Sequence, residues 1–328
     1  MLDYRPKMFD EASKSHASKN IFVIILCFLV VFLVIMLLES VIPAIITAKP
    51  MLEELRKQGY LDGSQGLTVR ESMKLAVKVS SAPKIMIPTL LSTVFGTVAA
   101  MFYCRCIEVR PVRSMGARKE KFFAHYFTGI AVGLTMMTVI ALSGALSGIT
   151  EISVCSNISF GTLGLFFLGF IVQGMSEEFI FRGYLMTTIG GSGCKTAIAV
   201  AISSVGFALA HVTNPGFGVL PFINLTLFGV FAGLYIILFD NIWGACAIHS
   251  VWNFSQGNIF GISVSGTADT ESVLRSTPVS SHDFLTGGEF GIEGSILSTL
   301  VLGIGIAVTL YMIWKKQSAK QTVPEKAE

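Results

Sequence analysis

The sequence predicts an all-α fold, a polytopic membrane bundle of about eight transmembrane helices. Apolar residues make up 52% of the 328 residues and charged residues only 14%, whereas a soluble domain carries roughly a quarter charged residues. The chain also contains repeated apolar runs of about 20 residues, the length that an α-helix needs to cross the hydrocarbon core of a bilayer. One bundle embedded in a membrane therefore explains the sequence better than two soluble domains.

Eight apolar runs are the candidate spans. They lie at residues 21–46, 85–104, 124–149, 160–187, 197–212, 217–239, 242–261 and 294–314. The first begins with 18 uncharged residues, Ile21–Leu38, and is longer than the apolar core of about 7–15 residues in a secretory signal. We therefore expect it to be retained as the first transmembrane helix.

The spans and the polar segments between them predict five regions. These are a cytoplasmic N-terminal tail (1–20), N-terminal helices with a polar interfacial segment at 49–84 (21–120), a core that carries the candidate site (121–261), an extracytoplasmic loop with the last helix (262–314) and a disordered cytoplasmic tail (315–328). Of the Lys and Arg residues, 15 lie on the side of both termini and eight on the other side. Because cationic loops are retained in the cytoplasm, both termini are expected there. The exception is segment 49–84, which holds seven of the eight Lys and Arg residues on the opposite side.

The charge and the cysteine content argue against two classes of protein. The formal net charge is +3 and the cations are scattered along the chain, so a nucleic-acid partner is not expected. The six cysteines show neither a disulfide framework nor the spacing of a zinc knuckle, and we interpret them as free thiols. The expected surroundings of the chain are a lipid bilayer.

Three of the spans contain ionisable or strongly polar residues, which are costly inside a bilayer and are retained for pairing or for function. In the fourth span Glu178 and Arg182 lie one helical turn apart, a spacing that predicts a buried structural salt bridge. The neighbouring Glu177 points to a different side of the helix and has no cation three or four positions later. A carboxylate without a charged partner in such surroundings suits a general base.

The fifth and seventh spans carry one histidine each in a similar way. His211 follows Phe207 by one turn, and His249 precedes Asn253 by one turn, so that each pair shares a face of its helix. A single histidine in a membrane helix is most simply a hydrogen-bonded core residue. Three polar clusters on three helices instead indicate one common site.

The three patterns, Glu-Glu-x-x-x-Arg, Phe-x-x-x-His and His-x-x-x-Asn, follow one another in that order on successive apolar helices. Together they resemble the type II CAAX prenyl endopeptidases, also called the CPBP (bacteriocin-processing, abortive-infection-like) family of intramembrane proteases. The resemblance covers about residues 124–261. It implies an eight-helix fold with a conical cavity that holds the reacting groups.

The resemblance further implies an intramembrane endopeptidase that hydrolyses peptide bonds of a membrane-associated peptide or protein. Glu177 and His211 would activate a water molecule, and His249 and Asn253 would stabilise the oxyanion. The residue types agree with this chemistry, because hydrolysis needs a base and donors for the developing negative charge. The expected supporting residues are Glu178, Arg182 and Phe207. The localisation that follows is that of an integral multi-pass protein in the plasma membrane of a bacterium.

No metal or other cofactor is favoured by the sequence. The chain lacks the His-Glu-x-x-His signature of a zinc-binding helix, and the apolar helices offer no evident carboxylate behind either histidine, as zinc-bound histidines usually have. Zinc stays open as an alternative, because two histidines and one carboxylate can hold it with a free coordination position. Its ligands would then be Glu177, His211 and His249.

Two other functions stay open on the sequence alone. A non-catalytic bacteriocin-immunity or membrane scaffold protein of the same fold would need neither Glu177 nor His211, yet both are present. A transporter would also keep ionisable groups within its spans, but it would usually show internal repeats, and the sequence has no repeat of fixed period. The peptidase hypothesis is therefore preferred.

Overall fold

The computed structural model describes residues 4–62, 66–267 and 271–321. Helices dominate these ranges, as predicted. The α-helices are α1 (Lys7–Ala12), α2 (Ile21–Lys57), α3 (Val69–Ser80), α4 (Pro83–Ser92), α5 (Val94–Phe102), α6 (Phe122–Leu146), α7 (Phe160–Glu178), α8 (Thr187–Gly191), α9 (Thr196–Leu209), α10 (Val219–Phe239), α11 (Trp243–Phe254), α12 (Asp283–Thr286) and α13 (Ile296–Gln321). Two short strands, β1 (Thr150–Val154) and β2 (Leu274–Pro278), accompany them.

Six helical segments within the described residues are long and apolar enough to cross a membrane. They are α2, the segment Pro83–Ile107 that includes α4 and α5, α6, the segment Phe160–Gly191 that includes α7 and α8, α10, and Ile296–Ala319 of α13. Helix α9 is apolar but has only 14 residues, and α11 has 12 before it continues as a π-helical turn. The polytopic helical bundle is thus confirmed, and the number of eight crossings stays a prediction.

The helix that carries the two glutamates extends further than the predicted span 160–187. Beyond Glu178, α7 continues as a π-helical segment, Phe179–Met186, and then as α8. The following helix, α9, ends at Leu209, so His211 lies in the turn after the helix rather than inside a continuous span. Glu177, inside the long helical segment of α7 and α8, and His211, just after the end of α9, therefore lie close together.

The N-terminal segment from Tyr4 and the later part of α13 lie at one end of the bundle. Helix α1 packs against α8 through the buried Phe9 and Ala12, and the backbone N–H of Met8 donates to the Asp240 carboxylate at 3.0 Å. The ammonium of Lys316 lies 5.5 Å from the centre of the Tyr4 ring. The N-terminal region predicted as a tail therefore contains a helix packed on the bundle, and the proximity of Tyr4 to Lys316 agrees with an even number of crossings between them.

Two features depart from the predicted organisation. Helix α13 continues to Gln321, so residues 315–321 of the tail predicted to be disordered are helical, while residues 322–328 lie outside the described part of the chain. In addition, β1 pairs antiparallel with β2, which adds a small sheet to the all-α prediction. The pairing fastens the polar loop before α13 to the end of α6, because backbone groups outside helices need partners of their own.

Close contacts between helices hold α11 in the middle of the bundle. Gly129 and Gly133 of α6 face the backbone of α11, where a Cβ atom on Gly133 would lie 2.8 Å from the carbonyl oxygen of Ile248. Small residues let helices approach closely in membrane bundles. As a result α11 is buried over Gly244–Asn253, and this burial fixes the position of the two site residues that it carries.

Candidate active site

Three helical segments bring the four predicted catalytic residues to one cavity of about 170 Å³. Glu177 comes from the last turn of α7, His211 from the turn after α9, and His249 and Asn253 from α11. Phe207, on the last turn of α9, lines the same cavity. Residues that are far apart in the sequence thus meet at one place, which is where a shared chemical role requires them.

The carboxylate of Glu177 lies at the centre of this arrangement. Its Oε1 accepts a hydrogen bond from the Gln173 amide. Its Oε2 lies 3.7 Å from Nε2 of His249 and 3.9 Å from Nε2 of His211, beyond the distance of a direct hydrogen bond. This oxygen is buried and has no hydrogen-bond partner among the described residues. A gap of this kind between a carboxylate oxygen and two imidazole nitrogens suits a bridging water.

His211 is oriented by its own helix. Its Nδ1 lies 2.8 Å from the backbone carbonyl oxygen of Phe207, and its ring centre lies 4.8 Å from that of the Phe207 ring. Because a carbonyl oxygen only accepts hydrogen bonds, Nδ1 carries the proton in this contact and Nε2 keeps a lone pair. His211 therefore presents a proton-accepting nitrogen to the cavity.

His249 is oriented by Glu178. Its Nδ1 lies 2.9 Å from Oε1 of Glu178, and the same oxygen accepts a hydrogen bond from Nη1 of Arg182 at 2.9 Å. The predicted pair of Glu178 and Arg182 is therefore present and fully buried. The expectation that neither histidine has a carboxylate behind it is wrong for His249. The spacing within one helix could not reveal this contact, because it depends on how α7 packs on α11.

The Phe207 ring lies against the Arg182 guanidinium and the imidazoles of His211 and His249. The guanidinium of Arg182 lies over its ring, 4.4 Å from the ring centre, in a cation–π contact. The same ring faces His211 and, edge-on at 5.8 Å, His249. Phe207 thus contacts both imidazoles and the cation behind them, an arrangement that suits the supporting role expected of Phe207 and Arg182.

Asn253 is placed by a glutamine that the sequence analysis missed. The side-chain nitrogen of Asn253 donates to Oε1 of Gln173 at 2.9 Å, and the side-chain nitrogen of Gln173 donates to Glu177. Gln173 thus links the expected oxyanion donor to the expected base. Its position four residues before Glu177, on the same face of α7, was the signal that could have identified it.

A second missed residue comes from the first transmembrane helix. Glu39 of α2 lies beside the site, where the hydroxyl of Ser176, the residue before Glu177, donates to its Oε1 at 3.5 Å. The hydroxyl of Ser92 donates to its backbone carbonyl at 3.3 Å. Glu39 is the single charged residue of the predicted span 21–46, and this isolated charge was the available signal.

The donor atoms of the site have a chemistry that suits zinc. When neutral and protonated at Nδ1, each histidine has an Nε2 lone pair for a metal and a partner at Nδ1 that would orient it as a ligand. Two ligand atoms of a tetrahedral zinc lie about 3.4 Å apart for bonds of about 2.0–2.2 Å, whereas Glu177 Oε2 stands 3.7 and 3.9 Å from the two nitrogens. As placed, no group of three His, Cys, Asp or Glu side chains in the described ranges forms a metal site.

The site coincides with a known family domain. Residues 159–255 match the family described as Type II CAAX prenyl endopeptidase Rce1-like, and this segment, which runs from the start of α7 to the end of α11, contains all four candidate catalytic residues. No curated protein and no solved structure matches the chain. Residues 159–255 thus carry a domain of the CPBP family, that of the type II CAAX prenyl endopeptidases.

Proposed function

We propose that the protein is an intramembrane endopeptidase that hydrolyses peptide bonds of a membrane-associated peptide or protein. The observation that carries this proposal is the Oε2 atom of Glu177, which is buried without a hydrogen-bond partner in the described structure and faces Nε2 of both His211 and His249. The family match supports the same class of activity. The protein would act as a multi-pass protein of a bacterial plasma membrane.

In the first step, a water molecule between Glu177 and His211 attacks the carbonyl carbon of the scissile bond. Glu177 takes a proton from the water as the new C–O bond forms, and Nε2 of His211 accepts a hydrogen bond from the same water and orients it. The Gln173 amide, bonded to the other carboxylate oxygen, keeps the carboxylate in place. The electron pair of the carbonyl bond moves to its oxygen and forms the oxyanion.

In the second step, the oxyanion is stabilised by Asn253 and His249. Asn253 supplies a neutral amide donor. His249 can donate from Nε2 only as the imidazolium, for which Glu178 at Nδ1 is the counter-ion. When the intermediate collapses, the C–N bond breaks and the proton held by Glu177 passes to the leaving amine. Apart from the water, every group in this scheme is a side chain of the protein.

The metal-free reaction is proposed because the separations around Glu177 Oε2 suit a water molecule better than a shared metal ion. If zinc were held by Glu177, His211 and His249, it would supply a Lewis acid that polarises the carbonyl group and activates water. We expect the activity of the purified enzyme to survive exhaustive chelation. Stoichiometric zinc in active enzyme, lost in His249→Ala, together with recovery of chelated enzyme on adding zinc, would overturn the metal-free proposal.

Peptide profiles test whether the protein is a peptidase at all. Mass spectrometry would compare peptides released from membranes of cells that carry wild type, Glu177→Gln, His211→Ala or the double variant. Because both residues act on one water, each single change should abolish release and the double variant should be no worse. Glu53→Gln, at an exposed glutamate of α2, is the control and should behave as wild type. A profile that is unchanged in Glu177→Gln would instead favour a non-catalytic immunity or scaffold protein.

A further inference from the structure

The catalytic cavity is too small to hold a length of substrate chain. Its volume of about 170 Å³ lies below the roughly 300–1,000 Å³ of ordinary ligand pockets. A larger cleft of about 770 Å³ opens beside it, between α3 and the loop Val212–Phe217 that follows His211. Asn214 lines both the cleft and the cavity, so the two spaces are adjacent at this residue.

One wall of this cleft is cationic. Arg70, Lys74 and Lys78 lie one turn apart on α3 and all line the cleft. Lys78 is already paired with Glu54 at 2.6 Å. Arg70 and Lys74 are exposed and form no ion pair within the described residues. Two cations therefore line the cleft without an ion pair to any carboxylate whose side chain the structure describes.

Helix α3 holds these cations in a defined place. Thr68 and Glu71 form a capping box at its start, and the hydrogen bonds from Thr68 lower the pKa of the Glu71 carboxyl below its ordinary value, so the cap is intact at neutral pH. On the other face, Leu75 and Val79 are buried where α3 packs on α2 and α4. These contacts hold α3 so that Arg70, Lys74 and Lys78 line the cleft.

We infer that this cleft binds an acidic segment of the substrate chain and guides it to the catalytic cavity. The inference rests on the proposed function only for the identity of the bound chain as a substrate. Carboxylates of the peptide would lie against Arg70 and Lys74, and its apolar parts against Met73 and Val77, which line the same wall. Glu289 lies on the lining of the cleft as well and restricts the acidic residues to the side of α3.

Binding of charge-matched peptides tests the inference separately from catalysis. The full-length Glu177→Gln protein in a neutral detergent would be titrated with fluorescein-labelled peptides that carry either Asp or Asn at the same positions, and Kd would be measured by fluorescence anisotropy. We expect the Asp peptide to bind about tenfold more tightly at low salt, with the difference shrinking at high salt. Arg70→Gln combined with Lys74→Gln should remove the difference.

Two further variants sharpen the comparison. Lys119→Gln removes an exposed cation that is not part of the cleft and should leave the preference intact, whereas Glu289→Gln should strengthen binding of the Asp peptide. Equal Kd values for the two peptides, no binding of either, or a preference that persists without Arg70 and Lys74 would overturn the inference. So would a loss of bound phosphatidylglycerol in the Arg70 and Lys74 variant without loss of peptide preference, which would assign α3 to the membrane surface.

The outcomes for the cleft and for catalysis can be told apart. If the wild-type protein prefers the acidic peptide but cleaves no membrane peptide, the cleft stands and the proposed peptidase function fails. If the protein cleaves peptides with no regard to charge, the peptidase function stands and the inference about the cleft fails.

Discussion

Replacing Arg182 by alanine should destabilise the protein as well as inactivate it. Arg182 is fully buried, it donates to Glu178 at 2.9 Å, and its guanidinium lies 4.4 Å from the centre of the Phe207 ring. Removing one partner of a buried ion pair typically lowers the free energy of unfolding by about 3–5 kcal/mol, because the other charge is left without compensation. That is a large part of the roughly 5–15 kcal/mol that holds a typical protein folded.

The assay is a thermal melt of the purified protein, run beside a cleavage assay. Arg182→Ala should melt several degrees below wild type and lose activity, because Glu178 also holds His249. Arg113→Ala is the matched control. It breaks an ion pair with Glu11 in which the arginine side chain is 58% exposed, and such surface pairs contribute at most about 1 kcal/mol.

A charge-neutral double variant separates the two effects of Arg182. Glu178→Gln combined with Arg182→Met removes both buried charges and should recover much of the lost stability. Its activity should stay low, since His249 then lacks the carboxylate at Nδ1. An Arg182→Ala protein that melts like wild type and is inactive would refute this reasoning and would assign Arg182 to contact with the substrate.

Three further outcomes follow from the fold and the site. Reporter fusions at Lys316 and near Ser265 should report opposite sides of the membrane, with Ser265 outside, because Lys and Arg concentrate on the side of the termini; the same side for both would show that the number of crossings is wrong. Asn253→Ala should lower kcat about 10²–10³-fold through loss of an oxyanion donor, and an unchanged kcat would remove Asn253 from that role. Gly133→Val should lower the free energy of unfolding by about 1–3 kcal/mol, because it forces α6 away from α11. Thermal melting would compare it with Gly164→Val, where a Cβ atom meets nothing within 4 Å.

The membrane bundle and several of the site residues could be predicted from local properties of the chain. The length and hydropathy of an apolar run depend on adjacent residues only, so the membrane bundle could be predicted without knowing how its helices pack. The same holds for the pairing of Glu178 with Arg182, since residues four apart on one helix always share a face. Polar residues in apolar helices are costly enough that Glu177, His211, His249 and Asn253 could be singled out one by one.

Contacts between helices could not be predicted from local patterns. Whether Glu178 meets His249, whether Gln173 joins Asn253 to Glu177, and whether Glu39 lies beside the site all depend on the rotation and separation of helices that are distant in sequence. Local hydropathy did not give the helix ends either, since α9 stops at Leu209, before His211, and α13 runs on to Gln321. The amino-acid sequence by itself singled out Glu177, His211, His249 and Asn253 as candidates, but not Gln173 or Glu39. Only the tertiary structure decided which of their atoms face one another, because side-chain contacts across helices depend on packing that no local pattern encodes.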